Sequence, residues 1–171
     1  IVVDDVLLQL PPSVMPDALI TACHLIDGVE VQWISRYLAG ASLTMDLETV
    51  EAFTAEPDRA IERMVELLPQ TFRADWALAL HGDNGSPQVL AASATAPELV
   101  PEASEWLAIE VPQRLAQTSA WASTDLVGLP AKDRTGRSFV VVVGRHGGPE
   151  FLASELARLG HLVALAAATQ A

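Results

Sequence analysis

A single cysteine, Cys23, stands in 171 residues, so no internal disulfide forms and no four-thiolate metal site can be built; a reducing cytoplasm is the expected location. Basic residues are also scarce. Ten Lys and Arg face 22 Asp and Glu, for a formal net charge of -12, and a nucleic-acid partner is not expected, because phosphate backbones are held by clustered cations. Long apolar runs are missing as well: the stretch from Leu159 to Ala171 is too short to span a bilayer and contains His161, Thr169 and Gln170, so a soluble protein is expected, with no membrane partner. What the chain does have is 50% hydrophobic residues, enough to exclude disorder by composition and to build one ordinary domain or two small ones. It opens on Ile1-Val2-Val3-Asp4-Asp5-Val6, with no initiator Met and no basic segment, and reads as a fragment entered within a strand rather than as a signal peptide.

Along the chain, Val2 to Leu10 is dense in β-branched residues and Pro11-Pro12 stops it, with Ser13 offered as a helix cap. Met15, Leu19, Ala22, Cys23 and Ile26 then recur on one face of a 3.6-residue period, up to Asp27-Gly28, and place Cys23 as a small buried hydrophobe. Val29, Val31 and Trp33 alternate with Glu30 and Gln32, predicting a second strand. Asp46 to Thr54 reads as a linker helix capped by Asp46 or Thr44. From Pro57 the pattern strengthens: Ile61, Met64, Val65, Leu68 and Phe72 trace a continuous apolar stripe. Trp76 to Leu80 and Gln88 to Ala92 are strands joined by Asn84-Gly85, a tight hairpin signal. Three prolines, Pro97, Pro101 and Pro112, cut the insert from Thr95 to Thr124, which reads as irregular with one or two short helices, Gln113 to Thr118 the clear one. Leu126 to Ala131 and Phe139 to Arg145 form a second hairpin around a charged turn, and after Pro149 a long helix carries Leu152, Leu156, Leu159, Val163 and Ala166.

Reactive constellations are sparse. No Gly-x-Ser-x-Gly elbow occurs, and His24, His81, His146 and His161 are scattered without ligand spacing, so no catalytic or metal residue is assigned and no cofactor is expected. The glycine-rich stretches Gly82–Gly85 and Gly144–Gly148 lack the spacing of a phosphate loop and read as turns. An enzyme would need a site assembled in space, with His81 or His146 meeting a carboxylate such as Asp83 or Glu150.

The order of elements from Pro57 onward, with Val127-Gly128-Leu129-Pro130, Phe139 to Val143, Gly147-Gly148-Pro149, Phe151, Glu155, Leu159 and Leu162, resembles a GAF domain over about residues 57–170. A PAS-like or profilin-like sheet would give nearly the same string. The first 38 residues, through Asp4-Asp5-Val6-Leu7-Leu8, the helix at Cys23 and Gly28-Val29-Glu30-Val31, look like the second half of an ACT domain, a ferredoxin-like strand-helix-strand unit. The fold class is therefore α+β: residues 1–40 the ACT-like half, 41–56 a helical linker, and 57–171 a GAF-like antiparallel sheet flanked by helices. Within the GAF resemblance, residues 57–171 hold none of the cysteines that methionine sulfoxide reduction or a thioether-linked bilin requires, and the Asn-Lys-Phe-Asp-Glu signature of cyclic-nucleotide binders is missing.

The resemblance places the insert over the ligand face of the sheet, so Trp106 and Trp121 either line a pocket or fill core, and His81 and Arg145, ending strands of that sheet, are placed at its rim. The short insert leaves room for a small ligand only. The reading is a non-catalytic regulatory or sensory protein that binds a small effector, an amino acid or other metabolite, and signals by a packing change; the alternative is a dimerisation or interaction module with a closed pocket. The stripes from Ile61 to Phe72 and from Leu152 to Ala166 have the spacing for a homodimer bundle.

Overall fold

A computed structural model describes residues 6, 8, 10–11, 13–31, 34, 41–83, 86–98, 101–116 and 121–171. The chain divides into two units, residues 1–39 and 40–171. In the first, helix α1 (Pro16–His24) starts on Pro16 behind the extended residue Met15, and not at Ser13, because proline's fixed φ suits the first helical position. None of its residues is buried, Cys23 is only half-buried, and Met15, Leu25 and Ile26 are exposed. The strands expected on either side are not found at residues 6, 8, 10, 29–31 and 34; their remaining positions, and Trp33, lie outside the described residues.

The second unit opens with α2 (Ala41–Ala55), longer than the expected linker helix and integral to this unit's core. Phe53 is fully buried, and the Thr49 hydroxyl lies 2.9 Å from that of Thr71. Asp46 is inside α2 rather than at its cap, and its carboxylate accepts two bonds from Arg158. A 3-10 turn (Pro57–Arg59) leads into α3 (Ala60–Phe72), whose expected stripe of Ile61, Met64, Val65, Leu68 and Phe72 is buried throughout. The helix stops at Arg73, which takes the left-handed conformation at φ 51°.

The sheet comprises β1 (Trp76–Asp83), β2 (Ser86–Ala92), β3 (Gln113–Arg114), β4 (Thr124–Lys132) and β5 (Ser138–His146), all antiparallel in the order β2-β1-β5-β4-β3. The Asn84-Gly85 turn lies outside the described residues, but the hairpin it was expected to make is present, with Asp83 opposite Ser86. A register shift falls between Ala79 and Leu80 on the β2 side, and Pro87 sits within β2 on the sheet's edge. Between β2 and β3 lies one turn of helix, α4 (Ala103–Trp106). Gln113 and Arg114, expected to begin a helix, instead pair with Gly128 and Val127 of β4.

Alternation along the strands separates two cores. Ala77, Ala79, Val141 and Val143 face α2, α3 and the terminal helix α5 (Ala153–Thr169), where Leu159, Val163 and Ala166 are buried as the sequence spacing predicts. Trp76, Leu78, Leu80, Val140 and Val142 face the other way, towards α4 and its flanking segments. Central strand β5 is apolar on both faces because both are covered.

The β4–β5 turn is closed by Asp133. One of its carboxylate oxygens accepts from the Thr135 amide at 2.9 Å, the Thr135 hydroxyl at 2.6 Å and the Arg137 amide at 3.0 Å, and the other from Arg137 Nε at 2.9 Å. Gly136 supplies the positive φ of 86° the turn requires. These donors, the Thr135 hydroxyl first, hold the Asp133 carboxyl below its ordinary value of 3.8. A depressed folded-state pKa contributes stability that is present above the unfolded value and is lost as pH falls through the folded one. Asp133→Asn is therefore expected to cost roughly 1–2 kcal/mol at neutral pH and to flatten the acid limb below about pH 4. Urea midpoints of both proteins from pH 6 to 2 check this, and parallel acid limbs would refute it.

Candidate functional site

The sheet face away from the long helices is built around three indoles. Trp76, at the start of β1, lies over Gly144 of β5, where a methyl group would overlap the ring. Trp121 meets Trp76 with centroids 5.5 Å apart and Trp106 at 6.2 Å, both pairs tilted. Gly128 has the same role farther along, because its missing side chain lets Ile109 and Leu115 settle directly on β4. Leu78, Leu80, Leu126 and Val142 are buried behind them. The deep part of this face is consequently filled.

Above that floor is a hollow of about 320 Å³, lined by Glu102, Glu105, Trp106, Gln113, Arg114 and Trp121, with Ile109 and Leu115 beneath. α4 places Glu102 and Trp106 one helical turn apart, which aims both at the same side. Arg114 reaches the hollow from β3, its terminal nitrogens donating to the Glu150 carboxylate and to the Phe151 carbonyl, and Asp125 lies 4.0 Å away. Trp121 Nε1 is a buried donor with no hydrogen-bond partner among the described residues.

Of the four residues singled out in the sequence, Trp106 and Trp121 come together here, and His81 and Arg145 do not. Directly opposed residues of an antiparallel pair share a face, and His81 is opposite Phe139, which belongs to the helix-side core. Arg145 falls on that side too and is 6% exposed. Its five N–H groups are all engaged. Nη2 donates to the Phe72 carbonyl at 2.5 Å, Nε to the Arg73 carbonyl at 3.3 Å, and Nη1 to the Pro149 carbonyl at 3.1 Å; Nη2 and Nη1 also donate to the two oxygens of Glu155 at 2.7 and 3.3 Å. The guanidinium lies 4.0 Å from the centre of the Phe151 ring. This arginine holds helix ends together, and a rim position is replaced by a structural one.

Glu102, Glu105, Gln113 and Arg114 were not anticipated, although the Glu-x-x-x-Trp spacing of Glu102 and Trp106 carries the signal. Of the groups an assembled catalytic site would use, Glu150 is bonded to Arg114, and the His146 ring lies 3.2 Å from the Thr124 hydroxyl. No group of three His, Cys, Asp or Glu placed to hold a metal occurs among the described residues. A second concavity, about 490 Å³, lies along α5 between Pro112, Leu156, Gly160 and His161 and offers little to orient a polar ligand. No described helix is long and apolar enough to cross a membrane.

No family model matches the sequence, and comparison with curated proteins finds no relative. Solved structures are similar. The GAF domain from an Acinetobacter phosphoenolpyruvate-protein phosphotransferase superposes with a TM-score of 0.59 at 15% identity, covering 77% of this chain and 93% of that one. The GAF domain of the corresponding Coxiella burnetii protein gives 0.57 at 16%, over 77% and 94%. That of a sensor histidine kinase described from Pseudomonas syringae pv. tomato gives 0.55 at 16%, over 77% and 86%. With a five-stranded antiparallel sheet in the order β2-β1-β5-β4-β3, long helices on one face and a tryptophan-bearing insert on the other, the larger unit of this chain has the GAF fold.

Proposed function

We propose that the chain is a non-catalytic regulatory or sensory protein of the cytoplasm, whose GAF-fold unit takes a small effector in the hollow beside Trp106 and Trp121. The observation that carries this reading is a hollow of about 320 Å³ walled by Trp106 and Trp121 and lined by the polar side chains of Glu102, Glu105, Gln113 and Arg114. The volume is at the lower end of small-molecule pockets, which matches a metabolite and not a large chromophore. Likeness to GAF domains of a sensor kinase and of phosphotransferases supports a regulatory role, and the choice of ligand belongs to the residues of the hollow.

A second reading, a dimerisation or interaction module with a closed pocket, is favoured by the three indoles that fill the sheet face. A thermal-shift screen of amino acids, amines, carboxylates and nucleotides against the full chain separates the two. An effector at about a hundredfold over its Kd is expected to add about 2.7 kcal/mol of stability and to raise Tm by several degrees, with a change in tryptophan fluorescence. A flat response across every class, together with a dimeric mass by light scattering, would favour the closed module.

A further inference from the structure

We infer that the hollow selects a small organic cation, an inference that rests on the ligand-binding reading above. Two indoles, Trp106 and Trp121, form a corner of its wall with a tilt of 53°. The face of an indole is the negative end of its quadrupole, and it attracts ammonium and guanidinium groups more strongly than any other side-chain ring. The charge around the corner has the matching sign. Residues 98–110 include Glu98, Glu102, Glu105 and Glu110 and no Lys or Arg. Glu102 and Glu105 line the hollow, and Glu105 is exposed, with no ion-pair or hydrogen-bond partner among the described residues.

Among the described residues Arg114 is the one cation in the lining, and it does not make the hollow an anion site. Its terminal nitrogens are taken by Glu150 and the Phe151 carbonyl, and Asp125 is 4.0 Å away, so its charge is already matched by two carboxylates. An anion entering here would meet two glutamates inside a chain of net charge -12. A neutral hydrocarbon would leave Glu105 and the faces of the indoles without a charge to meet. A small organic cation uses both features together, with the indole wall and Glu105 receiving its charge.

The test uses three probes of one shape on the full chain: choline, its neutral isostere 3,3-dimethylbutan-1-ol, and the anion 3,3-dimethylbutanoate, each titrated at millimolar concentration by tryptophan fluorescence and calorimetry. Choline is expected to bind about tenfold or more tighter than the neutral isostere, and the anion not to bind. Glu105→Gln, at an exposed position where folding is not at stake, is expected to weaken choline about fivefold and to leave the neutral isostere unchanged. Trp121→Phe keeps a ring but one that attracts cations less than indole does, and is expected to weaken choline about threefold. Equal or tighter binding of the neutral or anionic probe, insensitive to Glu105→Gln, would overturn the cation assignment and leave the pocket standing. No response to any of the three would overturn the cation assignment as well, and the broader metabolite screen then decides the pocket by itself.

Discussion

Arg145→Ala is expected to remove about 3–5 kcal/mol from the unfolding free energy, the usual cost of stripping one partner from a buried ion pair. The arginine is 6% exposed and Glu155 20%, so the carboxylate left behind is poorly hydrated. Three carbonyls, those of Phe72, Arg73 and Pro149, lose their donor in the same step. Arg73 is held in the left-handed region, where a non-glycine residue needs support from its surroundings, and its carbonyl is one of the three. Glu155 additionally accepts from the Leu152 amide at the start of α5, so the loss reaches that helix's first turn. Urea unfolding followed by circular dichroism measures the effect. A cost below about 1 kcal/mol would show that the pair is no better than a surface contact. The double variant Arg145→Met, Glu155→Leu is expected to recover a large part of the loss, because an apolar pair leaves no charge unmatched.

Trp76→Ala is expected to cost about 3–5 kcal/mol, the range for deleting a large buried aromatic. Trp76 is 6% exposed and supports Trp121, so the cavity opened in the floor also loosens the wall of the hollow. Gly144→Ala attacks the same contact from the opposite partner and is expected to cost about 1–3 kcal/mol through overpacking. The two substitutions share one volume and are not additive. In the Trp76→Ala background, Gly144→Ala should cost almost nothing, since its methyl enters the vacated space. Additive losses in a double-mutant cycle would mean that the glycine is required for some reason other than room for the indole.

The stripes of α3 and α5 and the β4–β5 hairpin were legible because each has one dry face and one wet one, or a turn with its own chemistry: Ile61 to Phe72 and Asp133 to Arg137 carry their own instructions. The segment from Gln113 to Thr118 has no such asymmetry. Whether Gln113 and Arg114 coil or extend is settled by two partners more than a dozen residues away, Gly128 and Val127, and a local period does not contain that information. The site was readable in part. Trp106 and Trp121 stood out because tryptophan is uncommon and the chain has four, but Trp76 read as an ordinary strand residue, although the glycine that ends the apolar run of β5 marks where something bulky approaches. Arg145 was misplaced because Val140 to Val143 are buried on both faces, so no polar alternation says which side the next residue takes.

The two ends of the sheet bear on how copies of this chain can meet. A strand at an edge presents unpaired amides and carbonyls and can act as a template for another chain's backbone. Here β3 is two residues long, and β2 carries Pro87, which has no amide hydrogen to offer, beside a register shift that bends its pairing with β1. Neither edge of the described sheet is a good seed for intermolecular strand addition. Growth of the sheet by addition of a strand to β2 or β3 is therefore disfavoured, and the route to aggregation that an open edge offers is narrowed at both.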